Sequence, residues 1–229
     1  FKSDVYTKVN DSFKFKNTFE HLIFNAFEGQ IDTGNMMQAL LKKAALHDIH
    51  ILNNQNVSDY QETNDNVEVL TNEVTFNTKK LIFTTNGFAS KLTNNEVKPA
   101  RAQVLITKPI ENLHLKGTFH FDQGYYYFRN INNRVLFGGG RNLDFEGETT
   151  TKLATTEKIQ NRLQDLLKNV ILPDTPFEIE HSWSGIMGIG NSKKPIVKQL
   201  SNHIYCGVRM GGMGVAIGSL IGKEVADLV

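Results

Sequence analysis

The chain has 229 residues, 40% of them hydrophobic, with 25 Lys plus Arg against 24 Asp plus Glu and a formal charge of +1. That length can bury one large core or two small ones, and the balanced charge, with no basic block, argues against a nucleic-acid partner. The single cysteine, Cys206, excludes an intrachain disulfide and leaves no cysteine cluster for a metal, a usage that fits a reducing compartment and a cytoplasmic location.

The opening Phe1-Lys2-Ser3-Asp4 has neither the basic nor the apolar region of a signal peptide. With no initiator Met and with Phe13, Phe15 and Phe19 giving it an alternating character, the start reads as cut from something longer. Residues 22–27 form an apolar run ending at Gly29 and predict a buried strand. A helix follows, capped by Asp32 or Thr33, with Met37, Leu40, Leu41 and Ala44 on one face and Lys42 and Lys43 outward, ending near His47. Residues 49–52 read as a strand, and 67–70 with 74–76 as a hairpin around Asn72-Glu73. Residues 80–87 predict a continuous apolar strand covered on both faces, ending on Gly87, where backbone can approach a ligand.

From Arg101 to Arg141 short strands alternate with Gly, Asn and Asp turns, which predicts an antiparallel sheet. A helix over 155–170 places Ile159, Leu163, Leu166, Leu167 and Val170 on one face and Glu157 in its first turn, and Pro173 and Pro176 stop it. The last fifth carries Trp183-Ser184-Gly185-Ile186-Met187-Gly188, a Pro195 loop and the glycine-rich run 207–215. Its unobstructed amides at the start of an apolar helix suit a flat, electron-rich ligand. Gly214, Gly218 and Gly222 recur every four residues, a groove that lets another backbone pack close. Arg209, Lys223, Glu224 and Asp227 break this region as a membrane span.

The order of these features, Gly29-Gln30-Ile31-Asp32 before a helix, Asn56-Val57, Leu81-Ile82-Phe83 leading to Gly87, Pro99-Ala100-Arg101-Ala102-Gln103, the 125–139 hairpin, Trp183-Ser184-Gly185 and the 210–215 turn, resembles the D-amino-acid oxidase and glycine oxidase family of FAD-dependent oxidoreductases. The resemblance implies an α/β fold: part of a glutathione-reductase-like, three-layer FAD-binding domain interleaved with an antiparallel-sheet substrate domain. It divides the chain into 1–28 (substrate-domain strand segment), 29–92 (FAD-binding), 93–180 (substrate domain) and 181–229 (FAD-binding).

The resemblance also implies a cofactor, FAD, and a small amine or amino acid substrate oxidised by hydride transfer from the C–H beside its nitrogen. It places Val57 near the adenine, Gly87 near the dinucleotide, and Gly211, Gly212, Met213, Gly214 and Val215 against the flavin pyrimidine. Tyr125, Tyr127 and Arg129 share a strand face by alternation, and that strand resembles the one lining the family's substrate pocket. The plain alternative for these three is an aromatic cross-strand ladder with a solvated Arg.

Two departures stand out. Where the family's amino-acid oxidases have Trp-x-Gly-Leu-Arg-Pro, Met187 occupies the position of the Arg that would grip a carboxylate, and Ser192 that of an Asp. Nothing before Gly29 offers the Gly-x-Gly-x-x-Gly phosphate unit of a dinucleotide fold, and Gly138-Gly139-Gly140 falls too late in the chain to serve. The chain therefore reads as roughly the C-terminal two thirds of a family member, inactive alone and binding FAD weakly or not at all. The competing class is a non-catalytic binding or interaction module that keeps the second half of the fold. Cys206 reads as a buried, inert thiol.

Overall fold

The computed structural model describes residues 3–90 and 96–229, so Phe1, Lys2 and the expected boundary between residues 92 and 93 lie outside the described residues. In chain order the elements are β1 (Tyr6–Asn10), β2 (His21–Asn25), α1 (Thr33–Leu46), β3 (Val57–Glu62), β4 (Val67–Thr71), β5 (Thr75–Thr78) and β6 (Leu81–Phe83). They continue with β7 (Lys98–Thr107), β8 (Thr118–Phe121), β9 (Tyr126–Ile131), β10 (Arg134–Gly139), α2 (Glu157–Leu166), β11 (Ile179–Ile189), β12 (Ile196–Gln199), β13 (Ile204–Val208) and α3 (Gly214–Leu228). The chain divides into two compact units, Phe1–Asp32 with Arg101–Ile186, and Thr33–Ala100 with Met187–Val229.

The first unit is built on a five-stranded sheet of order β11-β7-β10-β9-β8. Alternation sends Leu105, Tyr126, Phe128, Val135 and Phe137 to one face, where they form a core with Ile159, Leu163, Leu166 and Leu167. The helical spacing expected for 155–170 is therefore realised, with α2 continuing through a π-helical turn, Leu167–Ile171. Phe119 stacks on Phe128 at 4.8 Å, and Phe121 on Tyr126 at 5.0 Å, across the β8–β9 pairing. One charged pair is sealed into this unit. Arg101 Nη2 lies 2.6 Å from Glu148 Oε1, with side chains 7% and 0% exposed. Gln103 bridges Glu148 to Thr156 at the start of α2.

In this unit the 22–27 run forms β2, but as an open strand: it pairs only with β1 in a two-stranded sheet, and Ile23 and Phe24 are 70% and 53% exposed. An apolar run dictates a tendency to be covered, whereas cover itself comes from other parts of a chain.

The second unit contains a three-stranded sheet of order β12-β13-β6, with β13 parallel to β6, and an antiparallel sheet β3-β4-β5. Val67 and Val69 of β4 pack with Ile204 of β13, while Cys206, Val208, Ile196, Ala89 and Val97 form a neighbouring cluster. The expected 67–76 hairpin is present as β4–β5, but β3 joins it on the other side through a register irregularity after Val57.

Three expectations for this unit are corrected. The 80–87 run supplies only Leu81–Phe83 as strand, half-buried, before a 3₁₀ turn at Asn86–Phe88, because its ladder with β13 stops at Phe83 opposite Cys206, two residues before β13 itself ends. Residues 49–52 are not a strand: with no ladder partner among the described residues, β-propensity alone does not hold them extended, and Ile49, Ile51 and Leu52 stay exposed. α1 has its predicted span, yet Met37, Leu40 and Leu41 are exposed and no residue of the helix is buried.

The glycine stripe of α3 also behaves differently from the groove expected of it. Among the described residues nothing lies within 4 Å of a Cβ built at Gly218 or Gly222. The close approach occurs instead at Gly207 of β13, where a Cβ would fall 2.6 Å from Val225 Cγ2. Ile221 and Val225, one helical turn apart, are the residues α3 buries there.

Candidate functional site

The glycine turn of the second unit is assembled from three segments far apart in sequence. β6 runs into Asn86-Gly87, with Asn86 in the left-handed region at φ 43. Its side-chain oxygen accepts a hydrogen bond from Met210 N at 3.0 Å. Gly188 of β11 presses against the same place, since a Cβ there would meet Asn86 Oδ1 at 2.6 Å and Gly87 N at 3.1 Å. The carbonyl of Gly188 accepts from Gly211 N at 2.9 Å.

Arg209, Gly211 and Gly212 then take positive φ of 66, 58 and 84. That succession reverses the chain from β13 into α3 and turns peptide N–H groups outward. A Cβ at Gly211 would meet nothing within 4 Å, and one at Gly212 only Met187 Sδ, at 3.3 Å. Met213 N is used within the turn, bonded to Met210 O at 2.9 Å. Among the described residues the amides of Gly212, Gly214 and Val215 bond no acceptor. Gly214 and Val215 begin a helix whose first donors have no intrahelical partner. The donor set and the open space above it therefore fit the edge of a flat, carbonyl-bearing ring.

The other predicted residues distribute as follows. Gly87 is buried within its 3₁₀ turn. Val57 is exposed at the start of β3, opposite Thr71. Met187 packs its sulfur beside Gly212 and brings no charge. In the first unit, Tyr127 and Arg129 project from β9 on the face opposite the core, as alternation requires. Trp183 of β11 is partly exposed and stacks on His181 at 5.5 Å.

Tyr127 lies over Gly138, its neighbour on β10: a Cβ at Gly138 would come within 2.8 Å of the ring, so only glycine gives the ring this seat. Desolvation raises the Tyr127 phenol above its ordinary pKa, so it stays neutral and able to donate. Arg129 is not free: its Nη1 donates to Ile31 O at 2.6 Å and its Nε to Asn130 O at 3.4 Å. Tyr125 falls outside β9, in a helical turn conformation, and meets Phe145 edge-on at 5.9 Å. It does not share the strand face with Tyr127, because the turn Asp122–Gly124 ends only at Tyr125 and the pairing with β10 starts at Tyr126.

Asn86 and Gly188 were missed as determinants of the turn from sequence. The Asn86-Gly87 dipeptide is the signal that could have found them, since Asn tolerates the left-handed region and marks a turn rather than a strand end. Among the described residues no group of three His, Cys, Asp or Glu is placed to hold a metal ion, and no helix is long and apolar enough to cross a membrane.

The family model of DAO, FAD dependent oxidoreductase, matches residues 8–228. A curated relative, the probable oxidoreductase OrdL of Haemophilus influenzae, is 23% identical over 222 residues, which cover 90% of this chain and 49% of the relative. Among solved structures, glycine oxidase from Geobacillus kaustophilus aligns with a TM-score of 0.79 at 18% identity, over 93% of this chain and 58% of that one. L-proline dehydrogenase from P. horikoshii aligns with a TM-score of 0.74 at 20% identity, over 91% and 59%. The chain thus spans about half the length of the curated relative it matches. The structures share its fold, mixed helix and sheet with antiparallel sheets.

Proposed function

This chain belongs to the DAO family of FAD dependent oxidoreductases, and from that premise we propose that it forms the flavin-facing turn and the substrate-facing sheet of an enzyme oxidising a C–N bond of a small amine or amino acid. On this reading the Thr33–Ala100 and Met187–Val229 segments are the FAD-binding module, and Arg101–Ile186 is the substrate module. When bound, FAD supplies the hydride acceptor for the C–H beside the substrate nitrogen.

The observation that carries the proposal is the set of unbonded amides at Gly212, Gly214 and Val215 above an open glycine turn. They would hold the pyrimidine edge of the flavin, and the N-terminus of α3 behind them favours negative charge there. Met213 caps the same turn, Gly211 leaves the approach clear, and Val57 and Gly87 would lie along the dinucleotide. Within the substrate module, Tyr125, Tyr127 and Arg129 would line the substrate. Tyr127 presents a neutral phenol and Arg129 adds positive charge while holding two carbonyls. Met187 offers no clamp for a carboxylate, which favours amines, or amino acids whose carboxylate is met elsewhere.

These 229 residues contain no Gly-x-Gly-x-x-Gly, so the pyrophosphate lacks the amide cradle that usually anchors it, and the affinity of the chain alone for FAD is low. Titration of the purified chain with FAD, followed by visible absorption, tests the reading. A saturable perturbation of the flavin bands that is lost on gel filtration, and that disappears in Gly212→Val, is expected. An undiminished perturbation in Gly212→Val, or none in the parent chain, would overturn the proposed flavin turn. Stoichiometric FAD surviving gel filtration would overturn the low affinity.

A further inference from the structure

A second unmatched polar group lies in the first unit, at the end of β10. Gly139 and Gly140 have φ of 127 and 77, and Gly140 N donates to Tyr125 O at 3.0 Å. A Cβ at Gly139 would fall 2.0 Å from that same oxygen, so only glycine lets the backbone press this closely on Tyr125. The next residue, Arg141, places its guanidinium over the Phe145 ring at 4.9 Å, and Phe145 meets Tyr125 edge-on. Tyr125 and Phe145 are 37% and 46% exposed, so the cluster is open to solvent on one side.

The charge balance around Arg141 is incomplete. Among the described residues its guanidinium makes no hydrogen bond or ion pair, and Nε is closed to water without a partner. Glu148 is already consumed: its Oε2 accepts from Arg101 Nε at 2.9 Å, and its Oε1 accepts from Arg101 Nη2 at 2.6 Å and Gln103 Nε2 at 3.0 Å. Asp144 spends Oδ1 on Gly147 N, and Asp122 accepts from Asn142 Nδ2. Asn142 Oδ1 is itself buried without a partner. Partial burial lowers the Arg141 pKa below its ordinary value, against a weaker opposite pull from Glu148 and Tyr125. A desolvated charge left unpaired is costly, and the cation–π contact with Phe145 returns only a part of that cost.

We propose that Arg141 anchors a binding site for a small carboxylate, with Phe145 backing the guanidinium plane and the Tyr125 hydroxyl as a second donor. Stacking on Phe145 occupies one face of the guanidinium and leaves its edge for a planar, two-oxygen partner. The site gives the first unit, proposed above to hold the substrate module, a cation of its own. That link to substrate rests on the functional reading above, whereas the site and its test stand without any flavin.

The test is a titration of the 229-residue chain with sodium acetate at constant ionic strength, read by NMR at the arginine Nε–Hε signal that Arg141→Gln removes. Methylammonium chloride is the control. A saturable shift with acetate and none with methylammonium is expected. Tyr125→Phe, followed at that signal, and Arg141→Lys, followed at the backbone amide of residue 141, should each weaken acetate binding by about tenfold, with the rest of the amide spectrum unchanged. A shift that does not saturate, that methylammonium reproduces, or that survives both substitutions at full affinity overturns the site.

Discussion

Replacing Glu148 by Ala removes the anion of the most deeply buried charge pair described. Its side chain is 0% exposed, and Arg101 beside it is 7% exposed and loses two short charge-assisted bonds. Arg101 keeps its longer contacts to Gly147 O at 3.3 Å and Lys152 O at 3.4 Å, which cannot neutralise it. Gln103, which ties Glu148 to Thr156 at the start of α2, loses one of its partners. Breaking a buried pair from one side costs about 3–5 kcal/mol. With a urea slope of about 2 kcal/mol/M, the midpoint should fall by about 1.5–2.5 M.

Trp183 is the only tryptophan in the chain and lies in the same unit as the pair, so its fluorescence reports the relevant transition. The double substitution Arg101→Met with Glu148→Leu removes both charges and should return the midpoint to within about 0.5 M of the parent, because a hydrophobic replacement of a buried pair is close to neutral. A fall of less than about 0.5 M for Glu148→Ala, or a double variant as damaged as the single, would refute the reasoning.

Two further outcomes follow from close contacts and burial. Gly139→Ala forces a Cβ to within 2.0 Å of Tyr125 O at φ 127, so the β9–β10 hairpin must open; a loss of more than about 2 kcal/mol in the Trp183 urea transition is expected, and a neutral result would mean the turn relaxes freely. Cys206 is fully buried, and burial pushes its thiol above the ordinary value, so at pH 8 an aromatic disulfide reagent should titrate no thiol in the native chain and one after denaturation; rapid native reaction would place β13 at the surface.

Much of the first unit is legible in the residues because its signals are local. Ile159, Leu163, Leu166 and Leu167 carry a helical period that matches the face α2 buries, and the alternation through β9 and β10 sorts Phe128 and Phe137 from Tyr127 and Gly138. The glycine-rich turn is legible for the same reason: glycine at positive φ is a property of Gly211 and Gly212 themselves. What closes that turn is not, since Asn86, Gly188 and Met210 meet only through the parallel pairing of β6 with β13 and the approach of β11.

The amino-acid sequence by itself determined where chain segments tend to be helical or extended, which residues share a face, and where backbone must run free of a Cβ. Tertiary structure alone decided that, among the described residues, 49–52 join no ladder, that the close approach to α3 falls at Gly207, and that Glu148 is spent on Arg101 while Arg141 is left without an ion pair. The physical reason is range. Periodicity and φ preference act within a few residues, whereas ladders, close packing and charge compensation require partners that only the folded chain brings together.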